Sequence, residues 1–163
     1  MTNHHLVSAQ PTPLYLGALP SRWDHIPARV VVNLCGALPS GTGMFGRVVH
    51  LLPMLDVPEE ELLPARSTIE TFLDAVHAHA GGEPSFWHCH AGLNRSGLAV
   101  AAYLHRHRGA RIGEAIALLR RVRSPLVLCN ATFERTLRTW YGGPDEQALA
   151  PVDQELLLGL EEP

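Results

Sequence analysis

Apolar residues along this chain follow two rhythms. Short unbroken runs come first: Leu14-Tyr15-Leu16-Gly17, Arg29-Val30-Val31-Val32-Asn33-Leu34-Cys35 and Arg47-Val48-Val49-His50-Leu51-Leu52. The first reads as a short strand. The other two, β-branched and continuous, predict strands buried on both faces, and Pro53 stops the last. From residue 66 the apolar spacing changes to three and four. Ile69, Phe72, Leu73, Val76 and Ala80 predict an amphipathic helix over 66–80, with Ser67 and Glu70 placed as a capping box and Gly81-Gly82 as its stop. Ser85-Phe86-Trp87-His88 returns to strand character. Three helices should follow. One opens near Arg95 and closes at Gly109, and one over 112–123 turns Ile112, Ala115, Ile116, Leu119 and Val122 to one face. The last is capped by Asn130 and runs through Tyr141, with Phe133, Leu137 and Trp140 inward.

The connections are read from their turn residues. Residues 1–13 are polar and Pro-containing and are expected to be loosely held; Leu19 to Trp23 makes a turn or a single helical turn. Gly36 to Gly46 is a Gly/Pro/Ser loop. Pro58 with Glu59, Glu60 and Glu61 reads as the acidic first turn of a short helix. Strands followed by helices, with a buried run before each crossover, imply an α/β domain.

Composition narrows the picture only a little. At 163 residues the chain fits one domain, and 46% hydrophobic with 18% charged residues is ordinary for a globular protein. No apolar run approaches the roughly 18–20 residues that span a bilayer, so no membrane partner is expected. The first residues lack a basic and an apolar leader region, so no secretory signal is expected. Cys35, Cys89 and Cys129 are too few and too scattered for a disulfide framework, which points to a reducing, cytoplasmic location. Residues 144–163 carry Asp145, Glu146, Asp153, Glu155, Glu161 and Glu162 with no Arg, an acidic tail with an apolar stripe of Val152, Leu156, Leu157 and Leu160. The rest of the chain is mildly basic, which suits an anionic substrate but not the charge density of a nucleic-acid binder.

The chemistry concentrates in His88-Cys89-His90-Ala91-Gly92-Leu93-Asn94-Arg95-Ser96-Gly97. A strand feeding a tight turn and a helix N-terminus leaves several N–H groups without intrahelical partners, a ready anion site. Cys89 sits at the lip of that turn, where such groups can lower a thiol pKa from about 8.5 to roughly 3.5–7.5. Arg95 can fold a planar guanidinium over the loop to grip two oxygens of a tetrahedral anion, and Ser96 brings a hydroxyl beside the sulfur. The backbone of His90, Ala91, Gly92, Leu93 and Asn94 would complete the phosphate cradle. A buried structural thiol would leave the spacing of Gly92, Arg95 and Ser96 unexplained. A zinc site is not expected, because alternating His88-Cys89-His90 cannot close a tetrahedron and no second cluster has suitable spacing.

The run His88-Cys89-x-x-Gly92-x-x-Arg95-Ser96-Gly97 resembles the Cys-x5-Arg signature of the protein tyrosine phosphatase superfamily, in its dual-specificity branch. The resemblance extends over roughly residues 14–141 and implies a twisted, mainly parallel sheet of four or five strands with helices on both faces. Residues 1–143 would then form a single catalytic domain. It implies a cysteinyl-phosphate intermediate on Cys89 and a general acid near Asp56, which lies 33 residues earlier, with Glu59, Glu60 and Glu61 as competitors by residue type. Ser96 would assist the thiolate as it leaves. His88 is expected to hydrogen-bond backbone near the sulfur, supporting the loop, and Asn130 to lie in a Pro-Asn-x-x-Phe turn in which Cys129 replaces the Pro. Cys35 or Cys129 could protect Cys89 as a disulfide, as in some cysteine phosphatases, or be ordinary core or loop cysteines. No cofactor is implied.

Expected partners are phosphorylated proteins or small phosphomonoesters, with phosphate and vanadate as inhibitory oxyanions. The short connector between Leu14 and Asn33 implies a shallow pocket open to phosphoserine, phosphothreonine and phosphotyrosine. Asn94 is similar to the RNA 5′-triphosphatase branch, although no basic groove accompanies it. The absence of Lys at 90–94 speaks against a highly charged inositol phosphate. A catalytically silent phosphate-binding module is the reading from another class.

Overall fold

The computed structural model describes residues 4–37, 43–80 and 82–143. The acidic tail and its apolar stripe therefore lie outside the described residues. Among the described residues there are five strands, β1 (His4–Ser8), β2 (Leu14–Ala18), β3 (Val30–Asn33), β4 (Val48–Leu51) and β5 (Ser85–Cys89). Four α-helices accompany them, α1 (Arg66–Ala80), α2 (Arg95–Arg108), α3 (Ile112–Val122) and α4 (Ala131–Tyr141), with a 3-10 turn at Glu60–Leu62. The strands form one sheet in the order β1-β2-β5-β3-β4, parallel except for the antiparallel β1–β2 pair. The mainly parallel α/β architecture is the one expected.

β5 is central because it is apolar on both sides. Trp87 and Cys89 face a large core built with Leu14, Leu16, Val32 and the inner faces of all four helices. Phe86 faces a second cluster with Val31, Trp23, Ile26 and Ala28. Helices were expected on both faces. The second face is instead covered by the connector from β2 to β3, whose Trp23 and Ile26 plug the sheet from turns rather than from a helix. A segment of so few residues covers the sheet because Trp23, one of the largest fully buried side chains, lies completely inside this cluster.

Three local expectations are corrected. Residues 4–8 are not loose but form β1, with Arg108 donating to the Gln10 and Thr12 carbonyls at 2.9 and 2.8 Å and so fastening the β1–β2 connection to the end of α2. β4 is not buried on both faces. It is an edge strand with one neighbour, and Val48, Val49 and Leu51 stay 40–47% exposed. Ser67 is not a cap: the Ala65 carbonyl accepts from the Thr68 and Ile69 amides, and Glu70 pairs with Arg66 at 2.8 Å, so Ser67 lies inside the first turn of a helix that begins at Arg66, where the spacing placed it.

Candidate active site

The joint between β5 and α2 is shaped by one glycine. Gly92 has φ +71°, in the left-handed region, and a Cβ there would run into the Gly17 carbonyl at the end of β2. The loop therefore lies directly on β2. It is tethered there by the Leu19 amide, which donates to the His90 carbonyl at 3.2 Å. Parallel pairing of β2 with β5 sets Ala18 opposite Cys89, so the cysteine emerges at the C-terminal edge of the sheet where this loop turns.

Cys89 is 1% exposed. Burial pushes its thiol up, but the Ser96 hydroxyl, whose Oγ is 3.2 Å from Sγ, and the Ser96, Leu93 and Gly92 amides outweigh that effect. The thiol is held below its ordinary value, because each of these donors favours the thiolate.

Arg95 arches away from the helix start towards the segment after β4. Its Nη1 donates to the Met54 carbonyl at 3.3 Å, its Nε lies 3.8 Å from Asp56 Oδ2, and that buried Nε makes no hydrogen bond. Asp56 is thus brought to the rim of the cradle. Asn94 Nδ2 donates to Asp56 Oδ1 at 3.1 Å and to Oδ2 at 3.2 Å, and Asn130 Nδ2 lies 3.3 Å from Oδ1. The competing glutamates are placed differently. Glu60 and Glu61 belong to the 3-10 turn, and Glu60 lies 3.9 Å from Arg135.

Asn130 does more than cap α4. Its Oδ1 accepts from the Thr132 amide at 3.2 Å, while its Nδ2 also donates to the Val57 carbonyl at 2.9 Å and its backbone amide to Asn94 Oδ1 at 3.1 Å. Thr132 Oγ1 adds a bond to the Pro58 carbonyl at 2.7 Å, so the α4 N-terminus holds the whole 56–58 segment. Cys129 is exposed and donates weakly to Asn94 Oδ1 at 3.5 Å, and Cys35 Sγ lies 3.4 Å from Asn33 Oδ1; all three cysteines are free thiols.

His88 supports the loop from within the core. It is fully buried on the opposite face from Cys89, its ring 5.5 Å from both Trp23 and Phe86, and neither nitrogen makes a well-formed hydrogen bond. Burial pushes its pKa down to about 4, with the Cys89 backbone opposing weakly, so the ring is neutral near pH 7. It packs the loop from behind, with the Cys89 backbone as its polar neighbour. His90 and Ala91 are exposed at the loop's outer turn.

One residue of the site escaped the sequence reading. Arg123, at the C-terminal end of α3, donates from Nη2 to the Ala91 carbonyl at 3.2 Å. Burial pushes its pKa down, and attraction to Cys89 opposes this, so a second guanidinium feels the sulfur.

The family described as "Dual specificity phosphatase, catalytic domain" matches residues 44–142, and the chain belongs to it. Dual specificity protein phosphatase 12 of Mus musculus is 31% identical over 143 residues, covering 83% of this chain and 41% of that protein. The chain thus spans about two-fifths of the length of this curated relative. Among solved structures, human DUSP28 superposes with a TM-score of 0.70 at 22% identity, over 86% of this chain and 94% of that one. A mouse putative dual specificity phosphatase complexed with zinc tungstate superposes with a TM-score of 0.67 at 22% identity, over 92% and 93% of the two chains. These two likenesses establish the fold. Among the described residues, no helix is long and apolar enough to cross a membrane.

Proposed function

We propose that the protein is a cysteine-dependent phosphomonoesterase that removes phosphate from phosphotyrosine and phosphoserine or phosphothreonine in proteins. The observation that carries this reading is the buried Cys89 sulfur, 3.2 Å from Ser96 Oγ and served by the amides of Gly92, Leu93 and Ser96, with its thiol held below the ordinary value. The Cys89 thiolate attacks phosphorus in line as the bond to the ester oxygen breaks, giving cysteinyl phosphate. Loop amides from His90 to Asn94 and the Arg95 guanidinium hold the three equatorial oxygens, with the Arg95 Nε, which makes no hydrogen bond of its own, as one donor. Asp56 gives its proton to the departing oxygen, then takes one from the water that attacks phosphorus and expels the thiolate. Ser96 donates to the sulfur as it leaves. Arg95 and the amides supply the positive field, so the scheme calls for no metal.

The tungstate bound by the mouse neighbour supports a tetrahedral-oxyanion site here, where phosphate and vanadate would compete with substrate. The RNA 5′-triphosphatase alternative rested on Asn94. That side chain is occupied with Asp56 and Asn130, so its presence has another explanation. Turnover of p-nitrophenyl phosphate without added metal, inhibited by vanadate and abolished in Cys89→Ser, is the expected result. Phosphate binding without any turnover would instead assign a silent binding module, and full activity in Cys89→Ser would overturn the mechanism.

A further inference from the structure

Asp56 stands on a loop, between Pro53 and the 3-10 turn, and a carboxylate so placed needs something to aim it. Two carboxamides do. Asn94 Nδ2 spans both oxygens, at 3.1 Å from Oδ1 and 3.2 Å from Oδ2, and Asn130 Nδ2 adds a second donor to Oδ1 alone, which leaves Oδ2, 3.8 Å from the Arg95 Nε, as the less occupied oxygen. Asn94 is itself fixed from behind, its Oδ1 accepting the Asn130 amide and the Cys129 thiol. Each polar atom of the Asn94 side chain is thereby spent on joining the phosphate loop, the acid segment and the α4 turn.

Resting on the phosphatase reading above, we propose that Asn94 and Asn130 are positioning residues that hold Asp56 with Oδ2 as the proton-transfer oxygen, before any substrate arrives. In the first step Oδ2–H passes its proton to the ester oxygen as the phosphorus–oxygen bond breaks, leaving Asp56 ionised. In the second Oδ2 takes a proton from the attacking water. Oδ1 stays on the two amides through both steps. The consequence concerns leaving groups. An ester whose oxygen leaves without help needs a well-aimed acid little, whereas a basic oxygen needs it most. Displacing a reacting group by about 1 Å costs about 10²-fold, within the 10²–10⁴-fold a positioned acid supplies.

The test is kcat/KM across a series of aryl phosphates, from p-nitrophenyl to phenyl phosphate, for wild type, Asn94→Ala and Asn130→Ser. Ser at 130 keeps a cap for α4 but cannot reach Asp56, so it separates aiming from helix capping. In both variants the loss should grow with leaving-group basicity, reaching about 10–100-fold for phenyl phosphate and clearly less for p-nitrophenyl phosphate. Inorganic phosphate should still inhibit competitively, since it reads the cradle and not the acid. Equal losses along the whole series, or none, would overturn the inference, and either variant alone decides between these outcomes if the other does not fold. A wild type without vanadate-sensitive turnover of any ester would bring down the phosphatase reading itself, a distinct result.

Discussion

Ser96→Ala isolates one of the forces that ionise Cys89. In the folded protein burial raises the thiol, and four donors lower it by more; the Ser96 hydroxyl, 3.2 Å from Sγ, is the largest of them. A donor that binds the charged form lowers an acid's pKa, so its removal must raise it. Hydrogen bonds to charged groups are worth about 1.5–3 kcal/mol, and one pKa unit corresponds to about 1.4 kcal/mol, so the thiol should rise by about 1–2 units. Alanine fills the site without a polar group and leaves the three amides in place. The assay is thiolate ultraviolet absorbance against pH, each protein read against its own Cys89→Ser counterpart, which cancels Cys35 and Cys129. Well below the wild-type midpoint the variant should carry about 10–100-fold less thiolate than wild type at the same pH. Its second chemical step should slow as well, because the sulfur leaves without its donor, so a burst of p-nitrophenol should stand out against steady turnover. An unchanged midpoint would show that the hydroxyl does not stabilise the thiolate, and the electrostatic account of the cradle would fail.

Two further outcomes follow from the same geometry. Gly92→Ala should lose at least about 1–2 kcal/mol from the left-handed backbone alone and displace the loop from the Gly17 carbonyl; urea unfolding reads the first and loss of phosphate inhibition the second, and wild-type values in both would refute the tight seating on β2. His88, lowered to about 4 from an unfolded value near 6.5, makes the unfolded chain bind the extra proton between those values. Stability from its neutral burial is therefore full above pH 6.5 and fades as pH falls towards 4, by about 2 kcal/mol between pH 7 and pH 5. Urea titrations at the two pH values should show this loss in wild type and not in His88→Gln; equal losses in both proteins would contradict it.

The catalytic loop was legible because its chemistry is local. Cys89, Gly92, Arg95 and Ser96 lie within eight residues, and a strand-turn-helix pattern suffices to place their amides and side chains together. Asp56 was legible only through its separation from Cys89 in a resembling family, since nothing in Pro53 to Leu63 marks it over three neighbouring glutamates; the Asn94 and Asn130 bonds now set it apart. What the sequence hid depends on distant partners. β1 exists because β2 offers it an edge and Arg108 secures its connection, neither of which appears in His4 to Ser8. β4 reads like β3 in its apolar run, yet an apolar run does not say whether a second neighbour is present. Arg123 comes within reach of Ala91 by the packing of α3 on α2, and the ring of His88 meets Trp23 because a connector, not a helix, covers that face.

The most direct test is to catch the phosphoryl group on the enzyme. Wild-type protein mixed with p-nitrophenyl phosphate, quenched rapidly and mapped by peptide mass spectrometry should carry one phosphoryl group on Cys89, absent when vanadate is added first. Turnover at full rate with no phosphoryl group on Cys89, or with the group on another residue, would contradict the account.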